Sequence, residues 1–360
     1  MTKRNYGIDL LRIVSMFMIV LNHSLLMGGV IGQATKIGVG SMNYNLSWIL
    51  DIICYGAVNC YALISGYVGV KSKFRPVNLI RLWLQVLFYS VILNIAVVIV
   101  VPGVGLSKSD IVQMFLPVSY QRYWYFSAYF VMFLFIPILN YILNNLNKAT
   151  LQKFILMLIV IFSFAETFIF RIKAFMSLES GYSVLWLTVL YLIGGYINLY
   201  GWRLWQRNLL VFSASVILSF AVLLLLGGED NHGRLLINYP APTILFMAIA
   251  LLNYFKDLQL TPNKIKLVKF FAPLTFGVYL IHIQPMVAKY LLQGSFSFLA
   301  FESPWKMVVL VVIASVAIYL VCSIIEWLRL LLFKMLHLDG SAKKISDVLV
   351  RLCQLSAMKL

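Results

Sequence analysis

Residues 4–24 read RNYGIDLLRIVSMFMIVLNHS. Between Ile13 and Leu21 the only polar side chain is Ser15. A helix needs about 20 mainly apolar residues to cross the ~30 Å hydrocarbon core of a bilayer, and 9–29 meets that length. Asp9 and Arg12 interrupt its start and the apolar run outlasts a signal-peptide core, so it reads as a retained span. Arg12 and His23 lie eleven residues apart, about three helical turns, which puts both on one face ~16 Å from each other. Charged and ionisable groups inside a span are costly, so each marks a candidate site.

The rest of the chain repeats this pattern. Of 360 residues, 62% are hydrophobic and only 11% charged, with a mean hydropathy of +0.92. Soluble domains carry about 25% charged residues, so a water-soluble globule and a disordered chain are both excluded. Nine further apolar stretches follow, at 47–69, 80–101, 123–143, 153–170, 183–200, 209–226, 239–255, 270–291 and 306–328. The expected fold is all-α, a polytopic membrane bundle of about ten transmembrane helices. With the N-terminus in the cytoplasm, 21 of the 29 Lys and Arg fall on inner segments. The positive-inside rule then puts both termini in the cytoplasm and accounts for the net charge of +17 without a nucleic-acid partner. Residues 1–335 are expected to form the membrane domain and 336–360 a short cytoplasmic tail. Cys54, Cys60, Cys322 and Cys353 form no C-x-x-C pair or His/Cys cluster. No metal site or disulfide framework is therefore expected.

Several residues stand out against this apolar background. His23 lies in the outer half of its span and suits a neutral imidazole acting as a base, or a structural bond to another helix. The loop Lys71-Ser72-Lys73-Phe74-Arg75, continuing to Arg81, suits a polyphosphate or anionic headgroups. Tyr120-Gln121-Arg122-Tyr123-Trp124-Tyr125-Phe126 reads as an interfacial aromatic belt or as a sugar platform with one arginine. His282 precedes Pro285, which should kink the ninth span. Glu166 lies at a depth like that of His23 and would orient its imidazole if the two helices face each other; pairing with Arg171 is the alternative. Asp51 is a weaker candidate, and Glu326 is expected to pair with nearby cations.

Taken together, these segments resemble the acyltransferase-3 family of integral membrane acyltransferases, which includes bacterial surface-glycan O-acetyltransferases. The similarity is carried by the opening stretch with its Arg12–His23 spacing and by Ile64-Ser65-Gly66-Tyr67. It continues in Tyr123-Trp124-Tyr125-Phe126 with Pro137-Ile138-Leu139-Asn140, and in Thr275-Phe276-Gly277-Val278-Tyr279-Leu280-Ile281-His282. One departure is plain: the family has two arginines three residues apart at the start of the third span, and here Asn78 stands in the first place before Arg81. Arg75 lies one turn back.

The resemblance implies acetyl-CoA as donor substrate, no tightly bound cofactor, and a carbohydrate or lipid-linked glycan hydroxyl as acceptor. It implies a multi-pass protein of the bacterial plasma membrane among membrane lipids, and is compatible with a homodimer. On that reading Arg12, Lys73, Arg75 and Arg81 hold the donor's phosphates. His23 is the general base or acyl carrier. Arg122 and Trp124 bind the acceptor, and Tyr279 or His282 donates to the oxyanion. The rival class is a transporter or flippase of a lipid-linked oligosaccharide. It predicts inverted repeats and broken midplane helices, and the sequence shows no internal repeat.

Overall fold

In the computed structural model, residues 4–169, 178–202, 207–229 and 232–337 are described. Helix α1, Tyr6–Leu26, runs unbroken. Its first turn is closed by Asn5, whose side-chain oxygen accepts from the Ile8 N–H. There follow α2 (Val30–Ile37), α3 (Met42–Gly69), α4 (Pro76–Val100), α5 (Lys108–Phe115) and α6 (Trp124–Asn145). Then come α7 (Lys148–Phe168), α8 (Val184–Tyr200), α9 (Asn208–Leu225), α10 (Pro242–Lys256), α11 (Pro262–His282) and α12 (Pro304–Met335). No strand occurs among the described residues, and the fold is the all-helical membrane bundle expected.

Among the described residues, eight helices are long and apolar enough to cross a bilayer. The apolar stretches at 183–200 and 239–255 fall instead on α8 and α10, which have 17 and 15 residues. Fifteen residues rise only ~22 Å. These two are the most enclosed helices of the bundle: eleven of the 17 residues of α8 and ten of the 15 of α10 are buried. A helix wrapped by other helices does not need to match the lipid thickness, because protein groups can satisfy the chain beyond its ends. Before α10, the Leu236 carbonyl takes the Thr243 hydroxyl at 2.8 Å, and the Pro240 carbonyl takes the Ser163 hydroxyl at 2.5 Å.

In the ninth span the break is sharper than a kink. Pro285 has no N–H for the helix ladder, and α11 stops at His282. A new turn starts where Gln284 accepts from the Val287 N–H at 2.8 Å. His282 is thereby the last residue of its helix. Of the expected tail, 338–360 lies outside the described residues.

Glycines set the closest helix contacts. A Cβ on Gly66 in α3 would overlap the Tyr191 carbonyl of α8, and one on Gly194 in α8 would overlap the Leu63 carbonyl of α3. The two backbones approach on bare glycine faces, as small residues permit in membranes. Gly194→Leu is therefore expected to cost more than the about 1–3 kcal/mol typical of overpacking, because the obstacle is backbone. Gly32→Ala, with nothing within 4 Å of the added carbon, should be tolerated. Thermal unfolding of both variants in detergent, with their membrane levels, checks the contrast.

Candidate active site

Because α1 is continuous, Arg12 and His23 keep the separation of three turns, Arg12 toward the helix start and His23 in its last turn. The C-terminal end of α1 meets the end of α11, and there His23 Nδ1 lies 2.9 Å from His282 Nε2. The other ring nitrogen of His282, Nδ1, lies 2.6 Å from the Val278 carbonyl oxygen one turn back. A carbonyl only accepts, so His282 Nδ1 carries the hydrogen. In a neutral ring Nε2 is then the acceptor, and His23 must donate to it from Nδ1–H. This assigns the remaining nitrogen, His23 Nε2, as an unprotonated lone pair. No carboxylate enters the chain of bonds. A backbone oxygen at Val278 thus sets the tautomer of a histidine 255 positions earlier in the chain.

His23 lines a narrow cavity of about 580 Å³ with Asn22, Tyr55, Tyr61, Trp124, Tyr125, Tyr239, Phe276 and Tyr279 among its walls. Its chemistry is aromatic with few polar groups. Asn22 donates from Nδ2 to Asp51 Oδ1 at 2.6 Å; the carboxylate thus fixes the amide, leaving Asn22 Oδ1 as the acceptor beside His23. The buried Tyr125 hydroxyl has no hydrogen-bond partner among the described residues, an unmet polar group in the wall of a cavity. Trp124 stacks on Tyr239 with centroids 5.7 Å apart and 24° between planes, and Tyr182 closes against Trp124 at 4.4 Å. Tyr239 is pinned by Asn59, which donates to its carbonyl at 2.8 Å and accepts from Trp186 Nε1 at 3.1 Å. Tyr55 carries Arg234 on its hydroxyl at 3.3 Å, and that guanidinium also lies over the Trp48 ring.

A second space opens at the other end of α1. It encloses about 1060 Å³ and is lined by Arg4, Asn5, Asp9, Arg12, Tyr67, Lys71, Ser72 and Asn198. Asp9 holds both Arg4 (2.5 Å) and Arg12 (2.6 Å). Three cations stand against one carboxylate, so the vestibule stays positive and suits an anion. Tyr61 links the two spaces. Its ring lines the His23 cavity while its hydroxyl donates to the Arg12 carbonyl at 2.7 Å.

The expected site residues separate into groups. His23, Trp124 and Tyr279 line one cavity, and His282 joins them through His23. Arg12 lines the vestibule, whereas Lys73, Arg75 and Arg81 are exposed on the loop and second turn of α4 and do not line it. Lys71 from the same loop does. Arg122 does not line the His23 cavity and donates to Gln113 Oε1 at 3.1 Å and Asn94 Oδ1 at 3.4 Å. Glu166 does not meet His23. It lines a separate small cavity with Thr167, Ser180, Asn238 and Pro240, and Arg171 lies outside the described residues. The imidazole is oriented by His282 instead.

Asn22, Asp51, Tyr55, Tyr125 and Tyr239 complete the His23 site. Of these only Asn22 carries a strong local signal, as the polar neighbour of His23 inside an apolar run. Cys54, Cys60 and Cys322 are buried and unpaired. No group of three or more His, Cys, Asp or Glu is placed to hold a metal ion among the described residues.

The tautomer assignment is directly measurable. In nitrogen NMR of histidine-labelled protein, His23 should show a hydrogen-free Nε2 and a protonated Nδ1. His282→Ala should collapse that preference into a mixture of tautomers, while His282→Gln, which restores an acceptor, should retain it.

The geometry has its counterpart in comparison with known proteins. No curated protein and no solved structure matches the chain. A family model, described as an acyltransferase domain, matches residues 5–327. That span contains both ends of α1, the cavity, the histidine pair and every vestibule residue but Arg4. The chain belongs to the acyltransferase-3 family and is a membrane acyltransferase.

Proposed function

We propose that the protein transfers an acetyl group from cytoplasmic acetyl-CoA to a hydroxyl of an extracytoplasmic carbohydrate, on a capsule, an exopolysaccharide or a lipid-linked repeat unit. The observation that carries this reading is the free lone pair of His23 Nε2, on a residue that lines an aromatic cavity at one end of a helix whose other end bears a cationic vestibule.

Acetyl-CoA is a polyanion joined by a long flexible arm to a small thioester. The vestibule cations Arg12, Arg4 and Lys71 suit its phosphates, and Arg81, Arg75 and Lys73 on the adjoining surface extend the positive field. From there to His23 is ~16 Å along α1, within reach of the arm. The aromatic septum at Tyr61 and Tyr125 is where the arm would thread.

At the outer end Trp124, Tyr182 and Tyr239 offer flat faces to a sugar ring, and Asn22 Oδ1 accepts from a sugar hydroxyl. His23 Nε2 takes the proton of the attacking hydroxyl as the new C–O bond forms at the thioester carbonyl. The C–S bond then breaks, and the sulfur leaves as CoA thiol with the proton returned by His23. The positive charge on His23 during this step is shared with His282, whose Nε2 accepts from it. Tyr279 and the Tyr125 hydroxyl are the donors available to the oxyanion. Acyl transfer through a histidine-bound intermediate uses the same nitrogen.

His23→Ala should lower transfer by about 10²–10⁴-fold, the usual contribution of a positioned base. The check is proton NMR of the surface polysaccharide from cells with equal membrane levels of both proteins. O-acyl signals should vanish while the sugar backbone persists. Unchanged acylation with reduced polymer export would instead favour a transporter.

Arg12→Ala should raise the apparent KM for acetyl-CoA and leave acceptor use unchanged, and Arg81→Ala should act in the same direction. Release of CoA by purified protein at varied acetyl-CoA measures both.

A further inference from the structure

A groove on the far side of the histidine pair plays no part in the chemistry above. It encloses about 1080 Å³ between α4 and α12, with the end of α11 and the turn after it as floor. Leu93, Ala96 and Val97 form one wall and Ala317, Val321 and Ile325 the other. The single polar residue is His282. Both its ring nitrogens are already engaged, by Val278 and His23, so it presents only carbon to the groove.

The two ends of the groove differ in chemistry. Toward the cytoplasmic end, α4 and α12 are tied by Gln85 and Tyr89, which donate to Glu326 at 3.1 and 2.7 Å. Toward the outer end, Val100 and Leu291 stand exposed. A hydrocarbon chain can enter from the outer leaflet and ends against the histidine pair.

The open rim is positively charged. Arg122 reaches α4 through Asn94, the residue next to the wall residue Leu93, and its buried Nε–H has no partner. Lys289 projects from the turn after α11 over the Tyr290 ring. Asp110 lies close enough to feel both. Its bonds to Ser107 hold its carboxyl below the usual range, and the charges of Arg122 and Lys289 add to this. Arg122 thus stands against α4, two residues before Trp124, which lines the His23 cavity.

The geometry points to a lipid-linked acceptor: a single hydrocarbon chain in the groove, its phosphate at Arg122 and Lys289, and its attached sugar over Trp124 and His23. This inference rests on the transfer reaction proposed above and narrows its acceptor to one class. A free polysaccharide would leave the groove without a role. An ordinary two-chain phospholipid would place a second chain outside it.

The test uses the full-length protein in phosphatidylcholine nanodiscs, titrated with geranylgeranyl phosphate while thermal unfolding is followed. A saturable rise in Tm is expected, since a ligand that binds only the folded state stabilises it. Geranylgeraniol, which lacks the phosphate, and phosphatidylglycerol, which has two chains, should give no comparable rise at equal concentration. Ala317→Trp and Ala96→Trp fill the groove from opposite walls, and each should raise the concentration needed by about tenfold. Binding of acetyl-CoA, measured by calorimetry, should be unchanged in both.

Equal stabilisation by phosphatidylglycerol, or no rise with the lipid phosphate, overturns the inference on wild-type protein alone. Tryptophan variants that bind the probe like wild type also overturn it. Wild-type protein that acetylates glycan yet ignores the probe refutes only the lipid-linked acceptor. Protein that binds the probe but never transfers acetyl from acetyl-CoA refutes the proposed reaction.

Discussion

One hydrogen bond organises the site: the Val278 carbonyl accepting from His282 Nδ1. It fixes the hydrogens on two rings in succession and leaves a lone pair at His23 Nε2. For this to work His282 must stay on α11 one turn beyond Val278 and against α1. Both conditions trace to neighbours. Gln284 and Pro285 end the helix directly after His282. Earlier in the same helix Gly277 lies flush on Glu326, where a Cβ would overlap the carboxylate. Glu326 itself takes four donors: Arg329 twice, at 2.7 and 2.8 Å, and Gln85 and Tyr89. A buried carboxylate so fully bonded has one position, and through Gly277 it fixes the register of α11 against α12.

The same economy of charge runs through the bundle. Arg4 and Arg12 share Asp9, Asp51 holds Asn22, and Arg329 neutralises Glu326. Buried charges without partners are expensive, so the membrane interior keeps its ionic groups in small sets. The aromatic cavity beside His23 is left with few polar groups, its walls built from ring contacts such as Trp124 on Tyr239 and Tyr125 on Tyr279.

Much of this was legible before any coordinates. The Arg12–His23 spacing needed only a continuous helix, and α1 supplies it. The short motifs gave the family, but nothing in them set Tyr279 or His282 beside His23, where the fold brings both together with Trp124. What escaped is long-range or depends on side-chain direction. The partner of His23 lies 259 residues away, and helix depth alone suggested Glu166 as readily as His282. A loop of five residues with three cations does not reveal which of them turns inward, and Lys71 lines the vestibule while Lys73 and Arg75 face outward. The shortness of α8 and α10 was hidden because hydropathy registers apolar length, not whether the neighbours are lipid or protein. The end of α11 at His282 was foreshadowed by Pro285, though as a bend.

The chain of bonds behind His23 stops at a peptide oxygen, and a peptide oxygen does not keep a proton. No carboxylate or further imidazole continues it among the described residues. The histidine pair is therefore a cup and not a wire. In the proposed reaction it would hold a single proton, entering and leaving by the same face of His23. Whatever departs from the cavity would have to carry that proton away before the site could work again.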